Sequence, residues 1–90
     1  MDSSNAERPT YDLTAHAQRV ISERALEVEW IERVLREPDF EETDRSDPDV
    51  RHALAAIPER EGRILRVVYN HCMQPPRIVT AYFDRSAKKR

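Results

Sequence analysis

The chain has one cysteine and one glycine in 90 residues, a single tryptophan, and no long apolar run. One cysteine, Cys72, cannot close a disulfide within the chain, and no apolar leader of the secretory kind opens the sequence; the reading is a cytoplasmic, reduced setting. A membrane-spanning helix needs about 18 or more consecutive apolar residues, and none are present, so no membrane partner is expected. The one glycine is Gly62, so the carboxylates Glu41, Glu42, Asp44, Asp47 and Asp49 lack both the glycine and the spacing of an EF-hand calcium loop. They read as a solvated acidic edge. His71 and Cys72 are adjacent in a turn, with no C-x-x-C or H-x-x-x-H companion, and adjacent side chains rarely converge on one ion. No metal and no cofactor are expected.

What is present is charge, and it is segregated. Residues 1–50 carry 6 basic and 14 acidic side chains, and residues 51–90 carry 9 basic and 3 acidic, so halves of −8 and +6 hide behind a net charge of −2. Two readings fit: the halves neutralise each other by packing together, or the basic half forms a surface for RNA.

The length suits one domain. Residues 1–9 are polar and without periodicity, residues 10–85 carry the pattern of a single α+β domain, and residues 86–90 form a basic tail. Thr14 suits the N-cap of a helix over 15–24, in which Ala17, Val20, Ile21 and Ala25 make an apolar stripe. A second helix over about 27–37 buries Val28, Ile31, Val34 and Leu35 with Trp30 alongside, and Pro38 stops it. "DFEETD" alternates weakly as an edge strand, and "VRHALAAI" (50–57) reads as a strand, although its alanines also suit a helix. "PEREG" is a hairpin connection, and "RILRVVYN" (63–70) and "RIVTAYF" (77–83) are the clearest strands. The expected fold is two N-terminal helices packed on a three- to four-stranded antiparallel sheet.

Several motifs then stand in a telling order: His16-Ala17 with Arg24, Trp30-Ile31 with Pro38, "DPDVRHAL" at 47–54, "GRILRVVYN" at 62–70 and "RIVTAYFDR" at 77–85. Together they resemble an uncharacterised bacterial family, a domain of unknown function, itself distantly similar to the RelE and BrnT toxins of toxin–antitoxin pairs. The resemblance runs from about Tyr11 to Arg85. It implies a RelE-like fold, RNA as substrate, a cognate antitoxin as partner, and metal-independent RNA cleavage by attack of the ribose 2′-hydroxyl on its own phosphate. In this chain the turn after the first helix reads Arg24-Ala25-Leu26, where relatives often carry glycine.

Such cleavage needs a base, an acid and cations for the phosphorane charge. His16, in the first turn of its helix, and His52, on the 50–57 strand, are the candidate acid and base. The alternatives are a packed helix-start residue for His16 and an exposed cross-strand polar residue for His52. Arg24, Arg66 and Arg85 are the candidate phosphate ligands, since a guanidinium fork matches two non-bridging oxygens. Alternatively, Arg24 pairs with a glutamate of the second helix and Arg85 with Asp84. Thr80 and Tyr82 share one face of the last strand, where hydroxyls suit phosphate and the phenol suits a base; Val79, Ala81 and Phe83 face the other way. Both types are also ordinary strand residues. The functional expectation is RNA binding or RNA cleavage. The alternatives are a non-catalytic interaction module and a homodimer formed through the edge at 40–44.

Overall fold

The computed structural model describes residues 11–87. The elements follow the order β1 (Asp12–Leu13), α1 (Ala15–Glu23), α2 (Val28–Arg36), β2 (Phe40–Thr43), β3 (Val50–Ile57), a 3₁₀ turn (Pro58–Arg60), β4 (Arg63–Asn70) and β5 (Arg77–Phe83). The strands form one sheet in the order β1-β5-β4-β3-β2. The α+β class stands. The sheet, however, has five strands and is mixed, because β1 pairs parallel to β5 through Asp12↔Arg77 and Leu13↔Ile78. Two residues are too few to show a period, so sequence patterning cannot find β1. The expected polar tail at 1–9 and the last three residues of the basic tail at 86–90 lie outside the described residues. Among those described, no helix is long and apolar enough to cross a membrane.

Local chemistry sets both helices. The Thr14 hydroxyl accepts from the Ala17 amide at 3.0 Å, capping α1 as its side chain suggests. At the other end the Leu26 amide donates to Ile21 and the Ala25 amide to Ser22, the paired bonds of a Schellman cap. That cap places Ala25 at φ 53°, in the left-handed region that favours glycine. Ala25 is therefore exposed, and Leu26 takes the buried place expected of it. In α2, Glu29 lies in the first turn, and Arg33 and Arg36 in the last, each favourable to the helix dipole. Trp30, Ile31 and Val34 are its buried residues, while Val28, expected inside, is 44% exposed because the first turn of α2 points it away from the sheet.

Alternation in the strands builds one core. Ala53, Ala55 and Ile57 of β3 and Leu65, Val67 and Tyr69 of β4 join Ala17, Trp30, Ile31 and Val34 from the helices. The alanines of β3 leave room for α2 to lie close. A bulge shifts the β4–β5 register between Val68 and Tyr69. Ile78 and Ala81, three residues apart, thereby both enter the core, which strict alternation would forbid. The opposite sheet face carries no helix, and its apolar residues Leu54, Ile64 and Val68 are nonetheless buried beneath neighbouring side chains.

The two sheet edges differ. Along β5 the carbonyls of Pro76 and Ile78 accept from the amides of Asp12 and Thr14. Farther on, the Thr14 hydroxyl donates to Val79 O, and Arg24 Nη1 donates to Ala81 O at 2.9 Å. The N-cap and C-cap residues of α1 thus seal one edge, whereas β2 forms the other.

Two substitutions test this account by urea denaturation. Ala25→Gly raises stability by up to about 1 kcal/mol, because glycine carries no left-handed penalty. Thr14→Ala lowers it by about 1 kcal/mol through loss of the cap. A glycine variant less stable than the parent would refute the Schellman geometry.

Candidate functional site

The helix-free face of the sheet gathers charge around one strand pair. Register sets Glu42 of β2 opposite His52 of β3, and Arg66 of β4 lies between Leu54 of β3 and Tyr82 of β5. Arg66 Nη1 is 2.7 Å from His52 Nδ1 and 3.0 Å from Glu42 Oε2, and its Nε is 2.8 Å from Asp84 Oδ2. On the far side of the imidazole, His52 Nε2 is 2.7 Å from Asp44 Oδ1. An arginine offers only donors, so His52 Nδ1 accepts and the ring proton resides on Nε2, from which it donates to Asp44. The sequence Asp44–His52–Arg66–Asp84 is one continuous hydrogen-bonded chain, with Glu42 as a branch.

The electrostatics follow from these contacts. The Arg66 side chain is 14% exposed and that of Asp84 is 10% exposed. Burial opposes the charge of Arg66, but its bonds to Glu42 and Asp84 outweigh burial and raise its pKa. The Asp44 carboxyl is held below its ordinary value by the His52 bond first, then by the Ser46 amide. The Ser86 hydroxyl, followed by Arg66, holds Asp84 down to about 2 against the effect of its burial. Asp44 also accepts from the Ser46 and Asp47 amides, so the 44–49 loop is anchored to the same network. An open pocket of about 440 Å³ adjoins it, lined by Glu42, Thr43, Asp44, Arg45, Ser46 and His52.

The structure thus brings His52 and Arg66 together and places Thr80 and Tyr82 on the same face, with Tyr82 across from Arg66. His16 is not brought there. It is exposed on α1, which packs on β5 from the opposite side of the sheet, and its one side-chain hydrogen bond among the described residues is with Arg19 Nη2, at 3.5 Å from Nδ1. The two histidines cannot share a phosphate from opposite faces. Arg24 points to the β5 edge and is taken by a backbone carbonyl, not by a glutamate of α2. Asp84 pairs with Arg66, not Arg85, which is exposed and makes no ion pair among the described residues.

Sequence reasoning read Glu42 and Asp44 as part of a solvated acidic edge and gave Asp84 only as a partner for Arg85, so it missed all three as partners of the His52–Arg66 pair. The readable signal was the two-residue period of "FEET", which puts Phe40 and Glu42 on one face. The remaining histidine and the cysteine are structural: His71 Nε2 donates to Pro48 O at 3.1 Å, and the Cys72 thiol donates to Asp49. That second contact pushes the thiol pKa up, away from a nucleophile's range. Among the described residues no three ligating side chains converge on a metal position.

Residues 13–83 match the family described as "Domain of unknown function (DUF4258)", and the chain belongs to that family. No curated protein and no solved structure matches it.

Two measurements check the network. Long-range ¹⁵N–¹H spectra are expected to show the His52 proton on Nε2; a proton on Nδ1 would contradict the Arg66 bond. Asp84 is ordinarily 3.8 and is held at about 2 in the fold, so its contribution is fully present above about pH 4 and lost as pH falls through 2. Ser86→Ala, which removes the largest cause of that depression, moves the Asp84 carboxyl resonance midpoint upward and starts acid unfolding at higher pH. An unmoved midpoint would refute the role given to Ser86.

Proposed function

We propose that this family member is a RelE- and BrnT-like interaction module that accepts an extended, basic segment of a partner protein on its β2 edge. The likeness to those toxins rests on the order of motifs along the chain. The observation that carries the proposal is the unequal treatment of the two sheet edges. Side chains of α1 occupy the carbonyls along β5, whereas the outward backbone groups of Glu41 and Thr43 meet nothing among the described residues. An open edge is a template for another strand. Its charge selects the strand: Glu37, Asp39, Asp47 and Asp49 flank it without ion pairs among the described residues, and they outnumber Arg45 and the Arg51 that pairs with Glu41. A second copy would set Glu41 and Glu42 against their like, so homodimerisation through this edge is disfavoured, and a basic segment such as a cognate antitoxin would present is favoured.

The network on the open face supports binding over cleavage. A ribose hydroxyl needs a base with a free lone pair, and the one on His52 is spent on Arg66. A phosphate needs uncompensated positive charge, yet Arg66 already meets Glu42 and Asp84. RNA binding without cleavage is the second reading. The observation favouring it is that the Thr80 and Tyr82 hydroxyls make no hydrogen bonds among the described residues.

Co-expression with the product of the neighbouring reading frame tests the proposal. The complex is expected to form, and Thr43→Pro, which removes an outward amide but no ladder bond, weakens it by about tenfold or more while leaving the melting temperature unchanged. Purified protein leaves RNA intact at molar excess. RNA cut by the parent protein and spared by His52→Ala would overturn the binding reading in favour of an endoribonuclease.

A further inference from the structure

Three arginines converge where β4 begins and β5 ends. The guanidinium carbons of Arg60 and Arg63 lie 5.0 and 4.8 Å from the Phe83 ring centroid, and Arg60 is also 5.7 Å from that of Trp30. Phe83 in turn meets Trp30 edge-on at 6.1 Å, so the aromatic support is fixed to the core. Stacking covers one face of a guanidinium and leaves its N–H edge available to a ligand. Arg63 and Arg85 line an open pocket of about 390 Å³ together with Gly62, Ile64, Phe83 and Asp84.

The carboxylates nearby are spent. Glu59 is held by both terminal nitrogens of Arg33 at 2.9 Å. Asp84 gives one oxygen to Arg66 and the other to Ser86. Glu61 is exposed and is not part of the lining. Among the described residues Arg60, Arg63 and Arg85 therefore form no ion pair, unlike Arg33, Arg51 and Arg66. A stacked guanidinium, Arg63, and a second one, Arg85, beside an apolar wall match a dianion carried on an organic body: forked donors for the non-bridging oxygens, and Ile64 and Phe83 for the rest.

We infer that this corner pocket binds a phosphate monoester, with Arg63 and Arg85 on the phosphoryl oxygens and Arg60 adding charge behind them. It lies away from the β2 edge and does not depend on what that edge binds.

Backbone amide NMR titrations with AMP, inorganic phosphate and adenosine test the pocket. AMP and phosphate are expected to move the amides of residues 62–64 and 84–87, AMP being the tighter, and adenosine to move neither group. Arg85→Gln, which breaks no contact among the described residues, weakens AMP binding by about tenfold, and Arg63→Gln does the same. Arg77→Gln, at the opposite end of β5, leaves it unchanged. No shift with millimolar AMP, equal shifts with adenosine, or indifference to Arg85→Gln would overturn the assignment. A single-stranded oligoribonucleotide lacking terminal phosphates that binds these amides more tightly than AMP would overturn it in favour of an internal phosphodiester ligand.

Discussion

A nearly buried arginine in the middle of a sheet has to be paired, and much of this structure follows from how Arg66 is paired. It sits on β4, between β3 and β5, where flanking Leu65 and Val67 face the helices and send its own side chain to the helix-free side. A lone guanidinium there would carry the full cost of lost hydration. Glu42 reaches it from β2, His52 from β3 and Asp84 from just beyond β5, so one cation joins three strands and the chain leaving a fourth. Leu54, Ile64 and Val68 are thereby covered without a third layer. The polar network doubles as the lid of a small apolar floor.

This pairing also explains the segregation of charge along the sequence. Acidic residues of the first half meet basic residues of the second across the sheet, Glu41 with Arg51 and Glu42 with Arg66, and Asp44 accepts a hydrogen bond from His52 Nε2. Arg33 of α2 and Glu59 of the 3₁₀ turn invert the pattern at the other end. Pairing across the sheet is thus one use of the asymmetry, and it takes up Arg66. The excess left over is divided: acidic around β2, basic around Phe83. The domain's own pairing thus leaves unlike surpluses at separate places.

Periodicity made the helices and long strands legible, since each buries a face against something large and must repeat every 3.6 or 2 residues to do so. What it missed lacks a period. β1 is two residues long, the β5 bulge breaks alternation within its strand, and Val28 lies in a first turn where the buried stripe has not yet met the sheet. The site was legible by residue type and illegible by partnership. His52 and Arg66 stand out as chemistry-bearing residues on strands, but their contact depends on the β3–β4 register, in which Leu54, not His52, is opposite Arg66. The pairing of His16 with His52 required a helix over β3 on the open face; α1 instead lies against β5, where its capping residues hold strand carbonyls.

The motif that joins His16 to Arg24 shows how structural and functional pressures can look alike in a sequence. Arg24 lies at the C-cap of α1, and there it serves as an edge seal because β5 has a bulge and only a two-residue neighbour in β1. Thr14, at the other cap, does the same for Val79. An arginine in a short motif with a histidine suggests phosphate chemistry, yet here it donates to a strand carbonyl. Sealing β5 is also what sets it apart from β2 at Glu41 and Thr43. A small sheet that spends a helix and two capping side chains on one edge has a means of closing edges, and the outward backbone groups of Glu41 and Thr43 are left without it among the described residues.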